Sequence, residues 1–130
     1  MLKFAFLGAW HSHTPMHVRE AAQRPEEFEV VGMYDADRMV IEKNQQNWQE
    51  YGLAIPVFDS VADLLASEAE AVVVEGHVYE NLAYVEQALR AGKHVLMEKP
   101  AGVDLGDLEK VHALAEERGL MLQMAYMWRY

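Results

Sequence analysis

Between Ala71 and Glu98 the chain reads as an apolar run, AVVVE, then YENLAYVEQALRAG, then a second apolar run, HVLME. The middle segment sets Leu82, Val85 and Leu89 on one face and ends at Gly92, the helical period followed by a stop signal. Strand, helix and strand in this order make a crossover, which lays the two strands parallel. The unbroken apolar character of AVVV fits a strand covered on both faces, as in a parallel sheet clothed by helices. The unit therefore points to an α/β fold.

The same alternation fills the rest of the chain. KFAFLG reads as a strand and PMHVREAAQR as a helix, with Thr14 as N-cap and Pro15 at the first helical position. FEVVGMY is a strand leading to Asp35, and RMVIEKNQQNWQEYG a helix closed by Gly52. IPVF is a short strand, and DSVADLLA a short helix capped by Asp59 or Ser60. DLGDLEKVHALAEERG is a helix between an Asp104 cap and a Gly119 stop, and LMLQMAY closes the series as a strand. About six strands with right-handed crossovers predict a doubly wound parallel sheet of the Rossmann type, one domain over residues 1–130. The competing architecture is a flavodoxin-like domain, which usually stops at five strands.

Composition narrows the function. Apolar residues at 52% and charged residues at 25% are those of a soluble globular domain. With no cysteine, disulfides and thiolate metal sites are excluded, and we expect a cytoplasmic protein. A net charge of −10 lacks the basic footprint that nucleic acid requires. The apolar start MLKFAFLGAW is too short for a signal peptide or a membrane span.

The turn after the first strand, FLGAWHSHTPMH, admits two chemistries. His11, His13 and His17 fall within a few residues, and His-x-His after a strand can place two imidazoles on one metal ion. Barrel metallohydrolases open this way, but a barrel needs about 250 residues. Of the remaining histidines, His77, His94 and His112, only His77 ends a strand near this turn. We assign no metal ligands, and keep a metal-dependent hydrolase using His11, His13 and His77 as an alternative. The other chemistry is a phosphate-binding turn. G-x-G-x-x-G would want glycine at 8, 10 and 13; the chain keeps Gly8 and has Trp10 and His13. Asp35, ending the second strand, is placed to accept hydrogen bonds from ribose hydroxyls and to repel a 2′-phosphate, although YDADR also reads as a helix cap.

ALRAGKHVLMEKP, from Ala88 to Pro100, resembles the signature of the Gfo/Idh/MocA oxidoreductases, the glucose–fructose oxidoreductase and inositol 2-dehydrogenase family. FEVVGMYDAD, DSVADLLASEAEAVVV and the closing MWRY fall in register with it. The resemblance implies an NAD- or NADP-binding domain of an enzyme moving hydride between the nicotinamide and a sugar, polyol or related hydroxy or keto compound. It implies a catalytic Lys99 beside the nicotinamide, Glu98 orienting Lys99 or touching the cofactor, and a Pro100 turn with a cis bond. An ammonium at a strand's carboxyl end can donate to a substrate oxygen. The alternative is that Glu98 and Lys99 are an exposed loop pair.

The expected cofactor contacts are Gly8, Trp10, His11, Ser12, Asp35, Gly76, His77, Asn81, Glu98 and Lys99, with Asp35 favouring NAD over NADP. The chain departs from the family pattern where the cofactor would lie: Gly76 and His77 stand for Thr-Pro, Asn81 for a His, and Trp10 and His13 for glycines. A non-catalytic nucleotide-sensing module is the further alternative. The resemblance also implies a C-terminal substrate and oligomerisation domain, absent from this chain, so the 130 residues alone are expected to be inactive. The full-length form is expected to be a homo-oligomer acting on a small molecule, with no nucleic-acid or membrane partner. Arg129 matches a family arginine to which no role is given.

Overall fold

The computed structural model describes residues 1–126; the MWRY segment with Arg129 lies outside the described residues. The elements are β1 (Leu2–Leu7), α1 (Thr14–Gln23), β2 (Phe28–Tyr34), α2 (Arg38–Gln49), α3 (Val61–Leu65), β3 (Ala71–Val74), α4 (Val78–Arg90), β4 (His94–Met97), α5 (Leu105–Arg118) and β5 (Leu122–Met124). The five strands form a sheet in the order β2-β1-β3-β4-β5, and every pair is parallel.

The expected strand IPVF is reduced to a single parallel bridge, Met33 to Val57, outside β2. Met33 N donates to Pro56 O at 2.9 Å and Phe58 N to Met33 O at 2.8 Å. Pro56 has no N–H to continue a ladder, so the segment stays an edge contact. Counting it, the strand order is that of the dinucleotide-binding fold, with an outer strand beyond β2.

Strand alternation divides the core. Phe4 and Phe6 point to one face, with Val18 and Ala21 of α1, Met33 of β2 and Trp48 of α2. Ala5 and Leu7 point to the other, with Val72, Val74, Leu64 of α3, Val85 and Leu89 of α4, and Val111 and Ala115 of α5. The rings of Phe6 and Trp48 stack at 6.1 Å with neither exposed; truncating such a ring to alanine costs about 3–5 kcal/mol.

Three helix starts follow short polar caps: Asp37 accepts from Met39 N at 2.8 Å, Ser60 from Asp63 N at 3.1 Å and Asp104 from Asp107 N at 2.8 Å. Ser60 is therefore the α3 cap, and Asp37 rather than Asp35 caps α2. The first helix differs from expectation. Its N-cap is His13, with no side-chain cap bond, and Thr14 is already helical. The Thr14 hydroxyl is engaged elsewhere, as described below.

The chain leaves β1 for β2 on one side and returns to β3 on the other. In this topology the ligand-binding position lies at that point, beyond the carboxyl ends of β1 and β3.

Candidate functional site at the switch point

The turn after β1 begins at Gly8, with φ +76°, and a Cβ there would lie 2.5 Å from both the Cα and the N of Gly76. The turns after β1 and β3 thus cross backbone against backbone, which only glycine permits. Gly8 N donates to Tyr34 O at 2.8 Å. The Asp35 carboxylate accepts from Ala9 N at 2.8 Å and from Asp37 N at 2.8 Å. Asp35 is a turn-holding residue at the end of β2, with lone pairs left for ribose hydroxyls. Buried Asn44 of α2 donates to Ala9 O at 2.8 Å and to Val40 O at 2.9 Å, steadying the same turn from below.

Trp10 is half exposed, and its ring lies 4.2 Å from that of His77. His77 in turn stacks on Tyr79 at 5.3 Å and 7°. Two residues that depart from the family pattern therefore pack on one another. Ser12 is exposed on the turn. Asn81 is buried, and its Oδ1, which has no hydrogen-bond partner, lies 3.1 Å from where a Gly76 Cβ would be.

Beneath the turn lie two buried carboxylates, Glu75 at 0% and Glu98 at 1% exposure. His13 Nδ1 lies 2.7 Å from Glu98 Oε1. His17 Nε2 lies 3.0 Å from Glu75 Oε1 and 3.8 Å from Glu98 Oε1. His11 Nδ1 lies 3.7 Å from Glu75 Oε2 and 3.8 Å from Glu98 Oε2. The Thr14 hydroxyl donates to Glu75 Oε2 at 3.1 Å. Burial lowers the pKa of His11, against the pull of both carboxylates. Burial also opposes charge on His17, but hydrogen bonding and attraction from Glu75, then Glu98, outweigh it and raise its pKa.

Lys99 follows β4 and is exposed. Its Nζ reaches to 3.4 Å from His11 Nε2, across from the β1 turn. Its backbone N–H donates to Glu98 Oε2 at 3.0 Å, and the Lys99–Pro100 peptide is cis. With its carboxylate buried, Glu98 is not half of an exposed loop pair.

The structure thus gathers Gly8, His11, Gly76, Glu98 and Lys99 at the carboxyl ends of β1, β3 and β4, with Asp35 against Ala9, Trp10 against His77 and Asn81 buried. Sequence reasoning missed Glu75, Asn44 and the inward role of Thr14, and left His17 without one. Glu75 had a signal: a carboxylate directly after a fully apolar strand, at a switch point. His77, grouped with His11 and His13 in the hydrolase alternative, stacks with aromatic rings away from them; His17, Glu75 and Glu98 stand there instead.

Comparison with known proteins agrees with this geometry. The model of the oxidoreductase family with an NAD-binding Rossmann fold, Gfo/Idh/MocA, matches residues 2–126. An uncharacterised oxidoreductase of Schizosaccharomyces pombe is 32% identical over 125 residues, 93% of this chain and 32% of its own. A dTDP-3,4-didehydro-2,6-dideoxy-alpha-D-glucose 3-reductase of Actinomadura kijaniata is 40% identical over 73 residues, 56% of this chain and 22% of its own. Among solved structures, UDP-N-acetylglucosamine 3-dehydrogenase from Acidithiobacillus ferrooxidans superposes with TM-score 0.81 at 25% identity, covering 98% of this chain and 38% of that one. A 3-ketoreductase from Actinomadura kijaniata in complex with NADP and TDP-benzene gives TM-score 0.79 at 25% identity, covering 98% and 38%. The chain spans roughly a fifth to two fifths of the length of these relatives. No helix among the described residues is long and apolar enough to cross a membrane. The chain belongs to the Gfo/Idh/MocA oxidoreductase family, of which it is an NAD(P)-binding Rossmann domain.

Proposed function

We propose that this domain serves an enzyme that moves hydride between a nicotinamide cofactor and the hydroxyl-bearing or carbonyl carbon of a sugar or polyol, sugar nucleotides being the nearest class. The observation that carries the reading is Lys99. It leaves the carboxyl end of β4 with its ammonium 3.4 Å from His11, at the mouth of the switch-point crevice where this fold binds its ligand.

The residues present fit a dinucleotide. Gly8 and Gly76 give the close backbone crossing, and Asp35 stands at the end of β2. The bound nicotinamide would supply the hydride acceptor or donor. Lys99 donates a hydrogen bond to the substrate oxygen and moves its proton. Glu98 fixes the Lys99 backbone, and His11 faces the Lys99 ammonium. Asp35 binds the adenosine ribose and disfavours a 2′-phosphate, so we read NAD as the cofactor. Exposed Arg38 next to it is the group a 2′-phosphate would use, which makes the NADP comparison decisive. The reading places the enzyme in the cytoplasm, with substrate binding and oligomerisation in a further domain of the full-length protein.

The test is a calorimetric titration of the protein with NAD and with NADP. NAD is expected to bind more tightly, and Asp35→Ala to weaken NAD about tenfold, the loss of a charge-assisted hydrogen bond. Tighter NADP binding, or an Asp35→Ala variant with unchanged NAD affinity, would refute the assignment of Asp35. In the full-length enzyme, turnover that survives Lys99→Ala would refute the role of Lys99.

A further inference from the structure

The donors beneath the β1 turn exceed what hydride transfer uses. Two triads share one carboxylate: His11, His13 and Glu98, and His17, Glu75 and Glu98, with one ligand atom from each member lying within 4.8 Å of the others in its triad. From these residues we propose a binding site for a divalent first-row transition-metal ion, zinc by preference, with Glu98 as the ligand common to both triads. The site shares His11 and Glu98 with the cofactor reading and departs from the sequence expectation of no metal.

Three observations support it. First, the donor set is imidazole nitrogen and carboxylate oxygen, which suits zinc and its neighbours rather than calcium or magnesium. Second, the spacing is right. Bonds of about 2.0–2.2 Å at tetrahedral angles put neighbouring ligand atoms about 3.3 Å apart. The pairs within the triads lie at 2.7 Å for His13 and Glu98, 3.0 Å for His17 and Glu75 and 3.8 Å for His11 or His17 with Glu98, on either side of that value. Third, the cluster is closed off from solvent on its carboxylate side. Glu75 is wholly buried and Glu98 nearly so, and His17 Nε2 meets Glu75 Oε1 at 3.0 Å as an ion pair outside regular hydrogen-bond geometry.

Charge argues the same way. Taking a carboxylate out of water costs several kcal/mol, and here two buried ones face three imidazoles. Thr14 and the Lys99 amide each give one hydrogen bond, and a dication would offset both charges directly. Thr14 is then the group that aims Glu75, the usual company of a ligating carboxylate.

The test uses untagged protein freed of metal, titrated calorimetrically with zinc chloride and, separately, with cobalt(II) followed by its visible absorption. We expect at least one equivalent per chain and a cobalt spectrum of low-coordinate nitrogen and oxygen ligation. Glu75→Gln and His13→Asn are each expected to weaken binding tenfold or more, whereas His112→Ala, on the exposed face of α5, leaves it unchanged. His13→Asn touches the less buried triad and decides alone should Glu75→Gln fail to fold by circular dichroism. Absence of stoichiometric binding, or binding that His13→Asn leaves intact, overturns the proposal.

Discussion

Gly8→Ala should be among the most damaging single-methyl additions in this chain, and Gly52→Ala provides its control. Both glycines have positive φ, +76° at Gly8 and +70° at Gly52. Their surroundings differ. A Cβ at Gly8 would lie 2.5 Å from the Cα and N of Gly76, while at Gly52 nothing lies within 4 Å. The conformational penalty for alanine in the left-handed region is about 1–2 kcal/mol and applies to both. Gly8→Ala adds overpacking of about 1–3 kcal/mol, because the atoms it meets are backbone and cannot rotate away. The expected loss is therefore about 2–5 kcal/mol at Gly8 and about 1–2 at Gly52. At roughly 3–5 °C per kcal/mol for a chain of this size, that is a fall in Tm of about 10–20 °C against about 5 °C. Thermal unfolding followed by circular dichroism reads both. Equal losses would refute the claim that the β1 and β3 turns cross here in contact.

Two further outcomes follow from buried polar groups. Thr14→Val keeps the shape but removes the hydroxyl that donates to wholly buried Glu75 at 3.1 Å, so chemical denaturation should show a loss of about 1.5–3 kcal/mol, and a loss under 0.5 would count against that bond. The Tyr84 pKa is raised to about 12, by burial first and then by Glu80; the unfolded chain therefore loses this proton at lower pH than the folded one, and stability from Tyr84 is present below pH 10 and is lost as pH rises through about 12. Tyr84→Phe should flatten the fall of stability across that window, measured by urea denaturation at stepped pH.

Most of the fold was legible because periodicity is a local signal. AVVV, HVLM and the Leu82–Val85–Leu89 stripe carry the pattern of their own burial, and Asp104, Ser60 and Gly119 sit at the helix ends where their backbone chemistry puts them. IPVF was over-read for the converse reason. Its composition suits a strand, but Pro56 and a place outside β2 limit it to one bridge, and neither its neighbour nor its edge position is written in four residues. At the start of α1 the signals competed. Thr14 before Pro15 is a good capping pair, yet a buried carboxylate from β3 takes its hydroxyl, and His13 is left as cap.

The site was legible in part, and the division has a physical cause. Lys99 and Asp35 end strands, so their place at the sheet's carboxyl edge follows from the strand pattern alone. The His–Glu cluster joins residues from β1's turn, α1, and the ends of β3 and β4, far apart in sequence. Only the crossover topology brings them together. The three histidines form a run that the sequence reads as metal site or phosphate turn. On the proposals above, one turn serves both: Gly8, Asp35 and Lys99 would take the dinucleotide and its substrate, and the neighbouring His–Glu cluster a metal ion. Glu75 and Glu98, both buried, draw the three imidazoles toward them. Bulk at positions 10 and 13, which reads as damage to a glycine-rich turn, then has a different account: His13 pairs with buried Glu98 at 2.7 Å, and Trp10 packs at a tilt against His77.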